Sequence, residues 1–331
     1  MATMAEVARE AGVSITTVSH VVNGTRSVNA ETVRRVNSAI ERTGYRPHSI
    51  ARALAGARTR SLGLAISGIS NPYFGDVIAA IEAEAARSGY TLLLGDTHDE
   101  PQKELQMVQE LVRRRVDGLI LAPSAAAQAN ALPYLATQSM PVVLVDRFLP
   151  IEIDQVGADN EAPTAQLVEH LAGLGHRRIG LVAGLEGLST TEERIRGYRS
   201  GLERSGLPVR EALIAHGGSR QEPARIATHR LLDAPDPPTA LVAANNAMTI
   251  GVVHALRERA LSIPRDIALV AFDDFEWSDF FHPRLTTIAQ PTSAIGEQAV
   301  RLLLARLEEP ERPPQSVRLP PAFVHRDSCG C

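Results

Sequence analysis

The feature that most constrains the fold is a regular alternation of short apolar runs with longer amphipathic stretches from residue 61 onward. The apolar runs predict strands at 61–67, 91–95, 118–122, 142–146, 178–182, 212–215, 240–244 and 267–272. The stretches between them predict helices at 76–88, 102–115, 162–174, 192–205, 221–232, 248–259 and 293–307. Strands that are apolar throughout and alternate with helices indicate parallel sheets covered on both faces. Their number favours two sheets, so we expect an α/β body of two doubly wound lobes.

Polar and aromatic side chains follow several predicted strands, at the edge where ligands of open α/β sheets bind. They are Asn71, Tyr73, Phe74, Asp96, Asp146, Arg147, Arg194, Asn245, Asn246, Asp273, Asp274 and Trp277. Taken singly, each is explained by a loop-end cap or a solvated charge. Together they would suit a small polyol, because sugar hydroxyls need paired donors and acceptors and an aromatic face for their C–H side.

The first 60 residues differ from the rest of the chain in charge. They contain nine arginines and four glutamates, a net charge of +5, whereas the remaining residues carry 25 basic and 34 acidic side chains, a net charge of −9. The whole-chain net charge of −4 hides this division. A basic head on an acidic body is typical of a nucleic-acid-binding module joined to a second domain.

Residues 4–24 have the pattern of a helix-turn-helix, whose second helix enters the DNA major groove. Thr3 and Ser14 are placed to cap the two helices, and Gly12 can adopt the positive φ of the turn. An apolar face predicted for the second helix comprises Val18, Val21 and Val22. The opposite face would present Ile15, Thr16, Thr17, Ser19 and His20 to phosphates and base edges. The alternative is an ordinary α-hairpin.

Two further segments complete the predicted head. A third helix is expected over 29–43, with Val33, Val36 and Ile40 inward and its arginines outward. The run 47–56 is Ala-rich and too short to be a stable isolated helix. It is either a linker or a segment that folds on DNA, where Leu54 could wedge into the minor groove.

The head resembles that of the lactose-repressor (LacI) family of bacterial regulators. The matching residues are Val7-Ala8, Ala11-Gly12-Val13-Ser14, Thr17-Val18-Ser19, Val22-Asn23, Thr32, Arg35-Val36, Ile40, Gly44-Tyr45-Arg46-Pro47, Ala51-Arg52 and Leu54. The second helix is most similar to those of purine-responsive members. The resemblance implies that Ile15, Thr16 and His20 read bases, that Leu54 is the minor-groove wedge, and that the partner is a palindromic operator in double-stranded DNA. The phosphate contacts it implies are Ser14, Thr17, Ser19 and Asn23.

The resemblance continues through the body to about residue 327. It is carried by residues 71–74, 115–118, 145–147, 159–160, 175–179, 194, 197–198, 272–274 and 283–287. Such bodies are similar to periplasmic sugar-binding proteins, which implies a small-molecule effector between two lobes. The implied effector contacts are Tyr73, Phe74, Asp146, Arg194, Asn245 and Asp273, to which the strand-end argument adds Arg147 and Trp277. Two residues depart from the family pattern. Asn246 stands where Asp is usual, which puts a charge role at this position in doubt. Ile15 stands at a base-reading position often held by Thr, Tyr or a small residue, so the operator sequence of a relative cannot be assumed for this chain.

The resulting domain prediction has three parts. We expect a helix-turn-helix domain at 1–47, a hinge helix or linker at 48–58, and an effector-binding and dimerisation domain at 59–331. Lobe 1 is expected at about 60–160 and 292–320, and lobe 2 at about 161–290 and 321–331. The chain would cross between the lobes near 159–163 and 290–292.

Several classes of function are disfavoured. No apolar run is long enough to cross a bilayer and no signal-peptide pattern is evident, so we expect a cytoplasmic protein. We expect it to work as a homodimer, with two heads on two half-sites. The only cysteines are Cys329 and Cys331, which fits a reducing compartment. Two ligands at a chain end make a poor metal site, so we expect no metal and no cofactor. Dinucleotide-binding, Walker and nucleophile-elbow motifs are lacking, so we expect no catalytic residues.

The leading hypothesis is therefore a DNA-binding transcriptional regulator, most simply a repressor, that is switched by a sugar or sugar derivative. One alternative effector is a nucleobase or nucleoside acting as a co-repressor. A sugar-binding receptor without a regulatory role is a different class, and an enzyme is a third.

Overall fold

The computed structural model describes residues 2–23, 26–45, 58–69 and 71–331. The chain divides into two units, Met1–Thr59 and Arg60–Cys331, which we call the head and the body. The predicted wedge, Leu54, and most of the predicted hinge lie outside the described residues.

The head is built from three helices, α1 (Met4–Ala11), α2 (Ile15–Asn23) and α3 (Ala30–Thr43). A capping box starts α1, because the Thr3 hydroxyl accepts from the Glu6 N–H and the Glu6 carboxylate accepts from the Thr3 N–H. Gly12 ends α1 with φ 62°, and the Thr17 N–H donates to the Ser14 hydroxyl at the start of α2. The small core of the head contains Val7, Ala8, Ala11, Val18, Val36, Ala39 and Tyr45.

The body contains two six-stranded sheets. The strands of the first are β1 (Ser61–Ile66), β2 (Thr91–Asp96), β3 (Gly118–Leu121), β4 (Val142–Val145), β5 (Asp154–Ala158) and β11 (Ser316–Leu319), in the order β11-β5-β4-β3-β1-β2. All neighbours in it are parallel. The strands of the second are β6 (Ile179–Ala183), β7 (Ile214–His216), β8 (Ala240–Ala243), β9 (Ala268–Phe272), β10 (Thr286–Ala289) and β12 (Ala322–Val324), in the order β12-β10-β9-β8-β6-β7. Only the edge pair of β10 and β12 is antiparallel among the described pairings.

Helices cover both sheets. They are α4 (Pro72–Arg87), α5 (Pro101–Arg113), α6 (Ala131–Thr137), α7 (Glu161–Gly173), α8 (Ser189–Arg204), α9 (Gln221–Leu232), α10 (Asn246–Glu258) and α11 (Thr292–Glu308). The central strands, such as β3, β4, β8 and β9, are buried at nearly every position because helices shield both faces. The expected α/β body with two parallel sheets is therefore confirmed.

The last long helix returns to the first sheet. α11 packs against α4 and against β3, β4 and β5. Gly296 permits this approach, because a Cβ added there would lie 2.5 Å from the Ala80 Cβ and 2.9 Å from the Ile81 N. The chain passes between the sheets after β5, after β10 and again between β11 and β12.

The strand prediction missed β5, β10, β11 and β12. These strands are short, and the two edge strands β11 and β12 are half-buried or exposed, so they lack continuous apolar runs. The predicted strand at 212–215 begins as a 3-10 turn, Glu211–Leu213, and only Ile214–His216 pairs with the sheet. Among the described residues, no helix is long and apolar enough to span a bilayer.

Candidate functional site

A cavity of about 760 Å³ lies beyond the carboxyl ends of strands from both sheets. Residues after β1, β2 and β4 line one side, and residues after β6, β7, β8, β9 and β10 line the other. We call this cavity the interlobe cleft. It has the position that ligand sites take in open α/β sheets.

Two aspartates face the interlobe cleft from equivalent positions in the two sheets. Asp146 directly follows β4 and Asp273 directly follows β9, both with left-handed backbones at φ 70° and 74°. The Tyr73 hydroxyl donates to Asp146 over 2.7 Å, and the Gln290 amide donates to Asp273 over 2.6 Å. Burial raises the pKa of the Asp146 carboxyl, and the Arg147 charge and the Tyr73 hydroxyl act in the opposite direction.

Two buried arginines are held rigidly at the same edge. Arg147 donates to the Pro123 carbonyl over 2.9 Å and to Asp99, and its Nε lies 3.4 Å from Asp146. Arg194 lies in α8 and stacks over the Phe272 ring, with its Cζ 3.7 Å from the ring centroid.

Arg194 is also fixed by hydrogen bonds. Its Nε donates to the Asn160 side chain over 2.9 Å, and its Nη1 donates to the Ala244 carbonyl. Such fixed guanidinium groups lose little conformational entropy when they bind a ligand.

Two neighbouring asparagines at the start of α10 have different surroundings. The Asn245 side chain caps α10 by accepting from the Met248 N–H over 2.7 Å. Asn246 lines the interlobe cleft and is 1% exposed, yet neither atom of its side-chain amide has a hydrogen-bond partner among the described residues. A buried amide without partners costs free energy, which a ligand with hydroxyl groups could recover.

The interlobe cleft has as many acidic side chains as lysines and arginines, and it also contains an exposed aromatic ring. Its lining contains four acidic side chains, Asp99, Glu100, Asp146 and Asp273, and four basic ones, Lys103, Arg147, Arg194 and Arg220. Trp277 is 46% exposed at the cleft and stacks on Phe281 with ring centroids 6.3 Å apart. The lining therefore offers both donors and acceptors of hydrogen bonds and one exposed aromatic ring.

The exposed face of α2 is the second candidate site. Ile15 is 52% exposed, which is unusual for so apolar a side chain, and Thr16 is also exposed. Ser19 and His20 are half-buried, and the Thr17 hydroxyl lies 2.8 Å from that of Ser14. The side chain of Asn23 lies outside the described part of the chain.

Arg35 does not simply point outward as expected. Its Nη2 donates to the Ala11 carbonyl over 2.6 Å and to the Gly12 carbonyl over 3.2 Å. It therefore satisfies carbonyl groups at the end of α1, which have no partner within the helix.

Two family models match the chain. A model of bacterial regulatory proteins of the lacI family matches residues 3–48, and a model of the periplasmic binding protein-like domain matches residues 168–329. The repressor PurR of Haemophilus influenzae (strain PittEE) is 34% identical over 307 residues, which is 93% of this chain and 91% of that protein. The chain belongs to the LacI family of bacterial regulatory proteins.

Other relatives agree with this assignment. The ribose operon repressor of Escherichia coli (strain K12) is 33% identical over 99% of this chain and 100% of that protein. A structure of the lac repressor dimer bound to operator and the anti-inducer ONPF has a TM-score of 0.87 and 29% identity, over 99% of both chains. This LacI-family chain is thus a transcriptional regulator with a DNA-binding head and an effector-binding body.

The structure brings the predicted effector contacts of the LacI-family body together. Around the interlobe cleft lie Tyr73, Phe74, Asp146, Arg147, Arg194, Asn245, Asp273 and Trp277. Asp96 is not among them. Its carboxylate accepts hydrogen bonds from the backbone N–H groups of His98, Ile69 and Gly68. Although burial acts to raise the pKa of this carboxyl, these bonds lower it. Asp96 therefore stabilises the neighbouring loops.

Sequence reasoning missed some lining residues. Gln290 lines the cleft directly after β10. The Thr-Thr-Ile-Ala run of β10 is compatible with a strand, but it is too short to predict one firmly. Asp99 lines the cleft beside Arg147, and nothing in the sequence indicates that pairing.

Proposed function

We propose that this LacI-family chain is a repressor that binds a palindromic operator as a homodimer, and that a neutral sugar in the interlobe cleft changes its affinity for DNA. The observation that carries the effector class is the charge-balanced, polar and largely prearranged lining of the cleft. Four carboxylates and four cations cancel, so a ligand with a net charge gains no overall electrostatic attraction.

The buried amide of Asn246 supports the same class. Both its donor and its acceptor lack partners among the described residues, and adjacent hydroxyl groups of a sugar can serve both. Asp146, Asp273, Arg147 and Arg194 supply further acceptors and donors, while Trp277 offers an aromatic face.

A nucleobase effector is the second candidate, since PurR is a relative. A planar base needs an open aromatic face on which to stack. The Arg194 guanidinium already covers Phe272 at 3.7 Å, and Tyr73 and Phe74 pack against each other edge to face at 5.0 Å. Among the rings named above, these contacts leave Trp277 as the face open to either ligand, so the balanced charges of the cleft, and not its aromatic faces, favour the sugar.

For DNA, we propose that Ile15, Thr16 and His20 read bases and that Ser14, Thr17, Ser19 and Asn23 hold phosphates. The exposure of Ile15 and Thr16 on α2 supports the base-reading role. A dimer would present two such helices to two half-sites of a palindrome. A similar structure is that of a repressor dimer bound to operator. We place this activity in the cytoplasm and propose no enzymatic role.

The effector is identified by measuring the melting temperature of the full chain with neutral monosaccharides and disaccharides, sugar phosphates and purines. A ligand at a hundredfold over its Kd should stabilise the chain by about 2.7 kcal/mol. Arg194→Ala should abolish the shift, while Arg196→Ala, in the same helix but 54% exposed, should preserve it. Stabilisation by purines or sugar phosphates alone would contradict the sugar proposal.

The operator is identified by selection from random duplex DNA, followed by binding measurements with and without the stabilising ligand. We expect a palindrome, an affinity that falls steeply with salt, and a change of affinity on adding the ligand. Ile15→Ala should relax the preference at symmetric base positions without changing the salt dependence. Binding that shows no sequence preference would refute a repressor role.

A further inference from the structure

Four metal-binding side chains meet beside α7. The ring nitrogens of His170 and His325 and the sulfur atoms of Cys329 and Cys331 all lie within 4.8 Å of one another. The closest pairs are His325 Nε2 to Cys331 Sγ at 2.8 Å and Cys329 Sγ to Cys331 Sγ at 2.9 Å. Cys329 Sγ lies 3.4 Å from His325 Nε2, and Cys331 Sγ lies 3.8 Å from His170 Nε2.

These separations are close to the edges of a zinc tetrahedron. Zn–S bonds of about 2.3 Å and Zn–N bonds of about 2.0 Å place neighbouring ligand atoms about 3.3–3.8 Å apart. The two sulfurs, now 2.9 Å apart, would separate by about 0.9 Å to reach the upper value. The His325–Cys331 pair, at 2.8 Å, would lengthen as well, and pairs at distances up to 4.8 Å would shorten to reach the edge lengths of the tetrahedron.

The surrounding fold holds the ligands in place. Ser328, which precedes the first cysteine, is fully buried, and its hydroxyl donates to the Leu269 carbonyl over 2.6 Å. Gly330, between the cysteines, has φ 86°, which lets the chain turn back so that both sulfurs point to one place. The Thr286 hydroxyl donates to Cys329 Sγ over 3.4 Å, the kind of outer contact that stabilises a bound thiolate.

The types of the four donor atoms favour zinc over other metal ions. Two sulfur and two imidazole donors match the composition of structural zinc sites, and two thiolates would neutralise Zn²⁺. No carboxylate belongs to the group, which disfavours Mg²⁺ and Ca²⁺. A catalytic zinc would need a position open to water, whereas here the protein offers four ligands.

We propose that His170, His325, Cys329 and Cys331 bind one zinc ion in a closed tetrahedral site. The two cysteines alone would make a poor metal site. The structure adds His325 from the same segment and His170 from α7, which is 155 positions away from His325. The ion would fasten the segment after β12 to α7, beside the second sheet.

The first test is the metal content of the full chain, purified in reducing buffer after reconstitution with excess zinc. We expect about one zinc per chain. Cobalt(II), which replaces zinc, should show the strong visible absorption of a tetrahedral ion and a sulfur-to-cobalt charge-transfer band. These spectra report the ligands directly and do not depend on DNA or effector binding.

Variants show which side chains hold the ion. Cys329→Ser with Cys331→Ser should abolish binding, and His170→Gln should weaken it by more than the 10- to 100-fold typical of an outer contact. His254→Gln replaces an exposed histidine outside the cluster and should bind zinc as the parent does. Circular dichroism checks that each variant is folded.

Three results would overturn the proposal. One is zinc in the parent no higher than in the double-serine variant after reduction. Another is a cobalt spectrum without sulfur charge transfer. The third is a Cys329–Cys331 disulfide in the purified chain that, once reduced, leaves a protein still unable to bind zinc.

Discussion

The partnerless amide of Asn246 permits a sharp test of the interlobe cleft. If the effector supplies the missing hydrogen-bond partners of this amide, then replacing the amide with an apolar group should stabilise the free protein and weaken effector binding. Asn246→Leu is the change, because leucine is similar in size and has no unsatisfied polar atoms. Asn160→Leu is the matched comparison, since Asn160 is equally buried at 1% exposure.

The two asparagines differ in their partners. Asn160 accepts from Arg194 over 2.9 Å, donates to Glu193 over 2.9 Å and donates to the Ala158 carbonyl over 3.2 Å. Its removal leaves buried charged groups with fewer partners, which we expect to destabilise the body by about 1–3 kcal/mol. Removing Asn246 leaves no such group behind, so we expect stabilisation by about 1 kcal/mol.

Calorimetry measures both effects. At roughly 2–4 °C per kcal/mol for a chain of this size, Asn246→Leu should raise the Tm by about 2–4 °C, and Asn160→Leu should lower it by several degrees. Titration of the effector should show that Asn246→Leu loses one or two hydrogen bonds, or about 1–3 kcal/mol, which weakens binding about 5- to 150-fold. The reasoning is refuted if Asn246→Leu lowers the Tm as Asn160→Leu does, or if it binds the effector as the parent does.

Three further predictions follow from other contacts. Gly296→Ala should destabilise the body by about 1–3 kcal/mol in urea unfolding, since its Cβ would lie 2.5 Å from an α4 side chain, whereas Gly173→Ala, with open space around it, should not. Burial raises the pKa of Glu104 above its ordinary 4.5, so the folded state holds this proton more tightly than the unfolded state does. As the pH rises from the ordinary pKa of this carboxyl through its raised pKa in the folded state, the free energy of unfolding should therefore fall. Glu104→Gln should remove this fall, which is checked by comparing unfolding curves of the parent and the variant at a series of pH values. Arg35→Ala should destabilise the head by about 1 kcal/mol through the loss of its bonds to the end of α1, and exposed Arg34→Ala should change the melting temperature little.

Much of the architecture could be predicted because it depends on local patterns. Central strands such as β4 and β9 are apolar at almost every position, since helices cover both faces, and this pattern is legible in one sequence. Thr3, Gly12 and Asn29 are cap residues whose positions mark the helices of the head. Edge strands such as β12 are short and partly exposed, and their pairing partner, not their composition, makes them strands.

Side-chain partners could be predicted only in part. The cleft residues were found because the carboxyl ends of parallel strands meet at one edge of each sheet, where ligands bind, and Asp146 and Asp273 each follow a strand at such an edge. Nothing comparable indicates that Arg35 turns back to α1 or that His170 meets Cys331, because those pairs depend on how helices pack in three dimensions.

Another set of long-range contacts connects the interlobe cleft to the segments that join the two sheets. Arg194, at the cleft, donates to Asn160, which lies in the first passage between the sheets, just after β5. Asn160 donates to Glu193, and Glu193 pairs at 2.6 Å with Arg318 on β11, just before the last passage. Arg194 thus belongs to a continuous polar network that joins two of the connecting segments, so an effector that contacts Arg194, as proposed above, would act on both. Because coupling between sites is reciprocal, whatever fixes these segments in one arrangement must also change the affinity of the cleft for its ligand.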